Sequence, residues 1–240
     1  FMVWLMMLVF TRTPSTGGLQ IDKQHSLLKS LRLVLANPQT WINGCYAGLI
    51  FLPTLVFGES WGPLYFEKVH GLSHANSAMV CSMIFVGWVI GGVCVGGISD
   101  RLGRRKPILI ASAVLSLITI LIILYVKHMP MPALIAVVIL YGIFNTGLVA
   151  SYAVGGEINP QSVTALSMAT VNMLSIVLGA LALPLVGIVL DLNWHGAIED
   201  GVRVYQTSTY EMSMLLLPCS LVLALITSFF VKETFCKPLD

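Results

Sequence analysis

Gly96-Gly97-Ile98-Ser99-Asp100-Arg101-Leu102-Gly103-Arg104-Arg105-Lys106-Pro107 is a short polar turn between two long apolar stretches, about 74–98 and 107–127. Either flank is long enough to cross a hydrocarbon core, which takes roughly 20 residues of helix. Reading outward, four more stretches of the same kind lie at about 40–66, 131–154, 163–190 and 208–231. Lipid offers no hydrogen-bond partner to backbone N–H and C=O groups, and none of the six alternates as barrel strands do, so each must be a helix. The chain reads as an all-α, polytopic membrane six-helix bundle.

Composition agrees. The 240 residues are 57% hydrophobic and 10% charged, where a soluble domain carries roughly 25% charged residues, so membrane lipid is the expected solvent and partner. A net charge of +2 without a basic stripe or interleaved aromatics excludes a nucleic-acid partner. Cys45, Cys81, Cys94, Cys219 and Cys236 stand singly. Without C-x-x-C spacing they read as small packing residues.

Phe1 to Phe10 are apolar but lack a basic lead and a small-residue cleavage site, so they are not a signal peptide; residues 1–11 are expected to end a truncated transmembrane helix. Residues 12–38 turn polar, and Leu27, Leu28, Leu31, Val34 and Leu35 recur at helical spacing, which predicts a linker carrying an amphipathic surface helix. Residues 39–231 hold the six spans and 232–240 a tail. Of the Lys and Arg residues, ten fall on the side of the quoted loop and three on the other. The positive-inside rule makes the first side cytoplasmic, with both chain ends there, and a bacterial cytoplasmic (inner) membrane is the expected location. Gly44 with Gly48, and Gly87, Gly91, Gly92, Gly96 and Gly97, have the spacing that lets helices approach closely.

The quoted loop resembles the signature loop of the major facilitator superfamily. That signature is a glycine four before an aspartate, a basic residue, then a glycine and a basic pair; Gly96, Asp100, Arg101, Gly103, Arg104 and Arg105 fill those places, and Ile98 stands where leucine is commoner. The resemblance covers nearly the whole chain. It implies a secondary transporter working by alternating access, not an enzyme, with a small-molecule substrate and no cofactor. The polar linker, the six spans and the closing Lys232-Glu233-Thr234 resemble the C-terminal half, helices seven to twelve, which makes the chain one half of that fold. An N-terminal six-helix half, or a second copy, is then the required partner. The resemblance also implies a cytoplasmic gate in which charges of this loop hold the outward-facing state closed on the inside. Glu157, in Gly155-Gly156-Glu157-Ile158-Asn159-Pro160, is the nearest acid on that face, and Arg101 or Arg104 is expected to pair with it. The alternative is that these arginines only satisfy the positive-inside rule.

For the transport pathway, the first span supplies a break: Pro53 removes an internal hydrogen bond, Gly58 loosens the next turn, and Glu59-Ser60-Trp61-Gly62-Pro63 is poor helix sequence. Glu59 is the one carboxylate well inside a span, by default a site residue. Desolvation would raise its pKa and make it a proton carrier; the alternative is a wetted, structural place at the outer mouth. Asn43, Tyr46, Thr54 and Trp61 share a face of the first span. Tyr141, Asn145 and Tyr152 share one on the fourth, and Thr164, Asn172, Ser175 and Gly179 one on the fifth. The substrate-binding candidates are Tyr46, Thr54, Glu59, Trp61, Trp88, Tyr141, Asn145, Asn172 and Ser175, each weighed against a role as interhelical glue. None of the five histidines lies deep in a span, and their spacing gives no metal site. Two alternatives stay open: a truncated or split half-transporter without activity of its own and, read without the signature loop, a six-helix channel or receptor.

Overall fold

The computed structural model describes residues 27–196, 198–199, 202–203 and 205–237; the expected truncated helix at 1–11 and the first part of the linker lie outside them. Helix α1 (Leu27–Ala36) leads into six long helices: α2 (Pro38–His70), α3 (His74–Leu102), α4 (Lys106–Tyr125), α5 (Met131–Glu157), α6 (Gln161–Leu192) and α7 (Thr207–Phe230). All six are long and apolar enough to span a bilayer. A two-residue hairpin, β1 (Ile198–Glu199) paired antiparallel with β2 (Val202–Arg203), lies between α6 and α7.

Local chemistry sets the helix ends. The Asn37 side chain accepts from the Gln39 amide at 2.9 Å with Pro38 at the first helical position, which starts α2. Gly71 and Gly103 close α2 and α3 at φ 67° and 64°, the left-handed conformation that favours glycine. Apolar composition alone ends the first two spans at 66 and 98, but the helices run on to His70 and Leu102. The backbone ladder continues past the apolar edge until a left-handed glycine stops it.

The expected break in the first span takes another form. Pro53 and Pro63 lack the N–H groups that would bond the carbonyls four residues back. Between them Thr54–Trp61 is a π-helix, so the chain stays helical but wider, with Gly62 N–H reaching the Phe57 carbonyl. Such stretches are common at functional sites.

Helix α2 is the most enclosed of the six. Gly44 and Gly48 let Leu174 and Leu178 of α6 lie against its backbone. Gly87 and Gly91 of α3 meet the backbone of α5 at Ile139, Gly142 and Ile143, and a Cβ at Gly142 would run into the Ile84 carbonyl oxygen. Small residues thus bring both helix pairs into backbone contact. A Cβ at Gly92, Gly96 or Gly97 would meet nothing within 4 Å, so the second half of that glycine run faces out of the bundle. Two buried tyrosines bind α2 to α4: Tyr46 Oη donates to the Leu109 carbonyl and Tyr65 Oη to the Leu124 carbonyl, both at 2.9 Å. Phe57, Tyr65 and Phe66 pack edge to face with centroids 5.3–6.0 Å apart. On the outside, α3 and α6 present Val89, Val93, Leu181 and Ile188 exposed, a surface suited to lipid or another helix bundle.

Candidate gate and transport face

Three segments far apart in sequence converge at one end of the bundle. The last turn of α3 carries Ser99 and Asp100, the left-handed turn at Gly103 reverses the chain, and Arg105 then enters beneath them at the start of α4. Its side chain is 10% exposed. Nη1 donates to Ser99 Oγ at 2.8 Å and Asp100 Oδ1 at 2.7 Å; Nη2 donates to Glu157 Oε1 at 2.7 Å, and Nε lies 3.2 and 3.3 Å from the two Glu157 oxygens. This forked arrangement uses the planar geometry of guanidinium. Burial pulls the Arg105 pKa down, but the hydrogen bonds it donates to Glu157 and Asp100 outweigh it, and the net shift is upward.

The segment after α7 completes the cluster. Glu233 accepts from the backbone amides of Arg105 at 2.8 Å and Lys106 at 3.1 Å, capping a helix from 127 residues away in sequence. The Thr234 hydroxyl donates to Glu157 Oε2. The loop, the end of α5 and the tail are therefore one hydrogen-bonded unit.

The expected partners of Glu157 are corrected. Arg101 and Arg104 are both exposed and neither reaches it; the partner is Arg105. Because α3 runs on to Leu102, Arg101 stays on the outer side of its last turn. Arg104 instead lies over the Phe235 ring, 5.9 Å from its centroid. Gly96 lines open space, and Gly103 makes the turn.

The candidate substrate residues divide into two groups. Tyr46, Thr54, Tyr141 and Asn145 are buried inside the bundle. Thr54 Oγ1 donates to Asn145 Oδ1 at 2.8 Å and lies 3.3 Å from Tyr141 Oη, while Asn145 Nδ2 donates to the Ile50 carbonyl at 2.8 Å. These bonds join α2 to α5. In the second group Tyr152 Oη donates to Asn172 Oδ1 at 2.8 Å and lies 3.4 Å from Ser175 Oγ, between α5 and α6. Asn172 is exposed. Tyr141 and Asn145 bond Thr54 of α2 and Tyr152 bonds Asn172 of α6; between them the helix is irregular at Thr146, whose amide bonds Ile143 at 3.4 Å before the helix restarts at Gly147.

Glu59 and Ser60 are exposed on the π-helical stretch, and Trp61 is half-buried within reach of Gly187 on α6. Trp88 packs edge to face on Phe51 with centroids 5.9 Å apart, and its buried indole N–H has no hydrogen-bond partner among the described residues. Sequence reasoning missed Ser99, Glu233 and Thr234. Lys232-Glu233-Thr234 was visible as the close of the last span; nothing local indicates that its acid caps α4.

Six spans with a buried ion-pair cluster at one end define an integral multi-pass membrane protein. The sequence model of the Major Facilitator Superfamily matches residues 1–182, and the chain belongs to that family. Among solved structures it is similar to a bacterial homolog of the human lysosomal transporter Spinster, crystallised in an inward-facing and unoccupied conformation, with a TM-score of 0.63 and 14% identity. The match covers 96% of this chain and 56% of that one, so the chain spans about half the length of the transporter it resembles. At this identity the likeness is one of fold. No curated protein matches.

Proposed function

We propose that the six helices form the C-terminal half of a secondary transporter that moves a small polar solute by alternating access, with its loop end and both chain ends on the cytoplasmic side of a bacterial inner membrane. The observation that carries this reading is that polar side chains stay exposed on helices long and apolar enough to span a bilayer. Helix α2 is the most enclosed span, yet Glu59 and Ser60 are exposed on its π-helical part, and Asn172 is exposed beside Tyr152 on the neighbouring α5 and α6. Polar side chains exposed within a span need a second wall, because lipid leaves them unsatisfied. An N-terminal six-helix half supplies that wall; a second copy of the chain is the other way to close it.

In this mechanism the Arg105 cluster holds the loop end together in one state and parts in the other, and Glu59 carries the coupled proton for symport. The solute is recognised by hydrogen bonds from Asn172 and Tyr152, with aromatic contact from Trp61 and Trp88, while the buried Ser175 lies behind Tyr152. Uptake into proteoliposomes containing the complete polypeptide, with and without an imposed pH gradient and over a panel of amino acids, sugars, peptides and organic cations, tests it. Gradient-dependent accumulation of one class is the expected result. Ion conductance without saturable solute uptake would instead establish a channel. The particle mass of the 240-residue chain in detergent separates a lone half from a pair of copies.

A further inference from the structure

The cation run Arg104-Arg105-Lys106 is divided by the fold. Arg105 is committed to Glu157, Asp100 and Ser99. Arg104 and Lys106 turn to the other side, where with Pro107, Ile110, Glu233 and Phe235 they line a cavity of about 330 Å³ at the head of α4. Among the described residues Arg104 makes no ion pair. Lys106 Nζ donates to the Phe229 carbonyl at 2.5 Å, which leaves two of its three donors. Glu233 is the acid of this cavity, but both of its oxygens accept from backbone amides, those of Arg105, Lys106, Thr234 and Phe235. The mouth is therefore cationic.

A second cavity of about 490 Å³ shares Pro107 and Ile110 with the first and continues along Ala111, Val114 and Leu115. Those five positions recur at helical spacing on one face of α4, spanning about 12 Å of helix axis. A cationic mouth thus adjoins a shallow, open apolar trough, lined by α4 alone, that runs down this membrane-spanning helix from its first turn.

We propose that this is a binding site for one anionic phospholipid, its phosphate held by Arg104 and Lys106 and an acyl chain lying along Pro107 to Leu115. Two independent features fit that one ligand. Free phosphate would use the mouth and leave the trough empty, and a neutral lipid would use the trough and leave the cations unanswered. Lys and Arg at the membrane surface attract anionic headgroups while their stems lie on apolar surface.

The test uses the 240-residue chain in detergent, titrated with phosphatidylglycerol or with phosphatidylcholine of the same acyl chains, with bound lipid counted by native mass spectrometry. One phosphatidylglycerol should be retained in preference to phosphatidylcholine. Arg104→Gln should weaken that retention about five-fold, and Ala111→Phe, on the exposed helix face, should reduce retention of both lipids by filling the trough. Inorganic phosphate should not displace the lipid. Equal retention of the two lipids, an unchanged preference in Arg104→Gln, or displacement by inorganic phosphate alone would overturn the proposal. If Arg104→Gln does not fold, Ala111→Phe decides, because undiminished phosphatidylglycerol retention in that variant also overturns it.

Discussion

Arg105 grips Glu157 with two nitrogens at once, Nη2 at 2.7 Å from Oε1 and Nε within 3.3 Å of both oxygens, and the same guanidinium holds Asp100 at 2.7 Å. The pair joins the start of α4 to the end of α5, and Asp100 extends it to α3. Three helices are thereby tied together at one end of the bundle. Both side chains of the central pair are nearly buried, at 10% and 12% exposure, so this is a structural bond and not a screened surface contact.

Removing one partner of such a pair leaves a charge without its counterion. Arg105→Ala is expected to lower the stability of the chain in detergent by about 3 kcal/mol or more, whereas Arg101→Ala, on an exposed side chain, should stay within about 0.5 kcal/mol. Thermal unfolding of the two variants checks the contrast. Reversing both charges, Arg105→Glu with Glu157→Arg, should restore stability only in part, since Asp100 would then face a carboxylate.

The two groups of polar residues should separate by readout. Tyr46→Phe and Thr54→Val each remove a buried bond between helices, and each should lower stability by about 0.5–1.5 kcal/mol with little change in the KM for the transported solute. Asn172→Ala, on the exposed face, should do the opposite, raising KM several-fold at nearly unchanged melting temperature. If Thr54→Val altered KM as strongly as Asn172→Ala, the division between internal glue and transport face would be wrong.

What could be read from residues alone follows from how locally each feature is determined. The six helices were legible because lipid allows an apolar stretch of that length no other backbone solution. The charged loop was legible as a unit, but which of its four cations holds Glu157 depends on where α3 stops and how the left-handed Gly103 redirects the chain. No periodicity reports that. The wheel that grouped Tyr152 with Asn145 carries no information on their partners, which lie on different helices, α2 for Asn145 and α6 for Tyr152. Glu233 was beyond reach for a third reason: its partners are the amides of Arg105 and Lys106, and a cap formed across the whole chain leaves no pattern in the neighbouring sequence.

The crossing of α3 and α5 leaves no room for a side chain. Gly142→Val would drive a Cβ into the Ile84 carbonyl oxygen, and Gly87→Val into that of Ile139; backbone on both sides cannot give way as a flexible side chain does. Either variant should abolish the monodisperse peak in size-exclusion chromatography. Gly97→Val, which meets nothing within 4 Å in this bundle, should elute as the parent chain does.

Proton coupling makes the sharpest demand on one residue. Glu59 lies on the widened stretch of α2 between Pro53 and Pro63, exposed where most of that helix is enclosed. If its carboxyl takes up and releases the coupled proton, Glu59→Gln fixes the neutral form and removes the charge cycle while keeping size and hydrogen bonding. Uptake driven by a pH gradient should then fall to the level of vesicles without a gradient, while exchange of labelled for unlabelled solute, which needs no net proton movement, should persist. Loss of both activities would make Glu59 a substrate ligand instead. Retention of gradient-driven uptake would remove it from the coupling step and place the proton elsewhere on the open face.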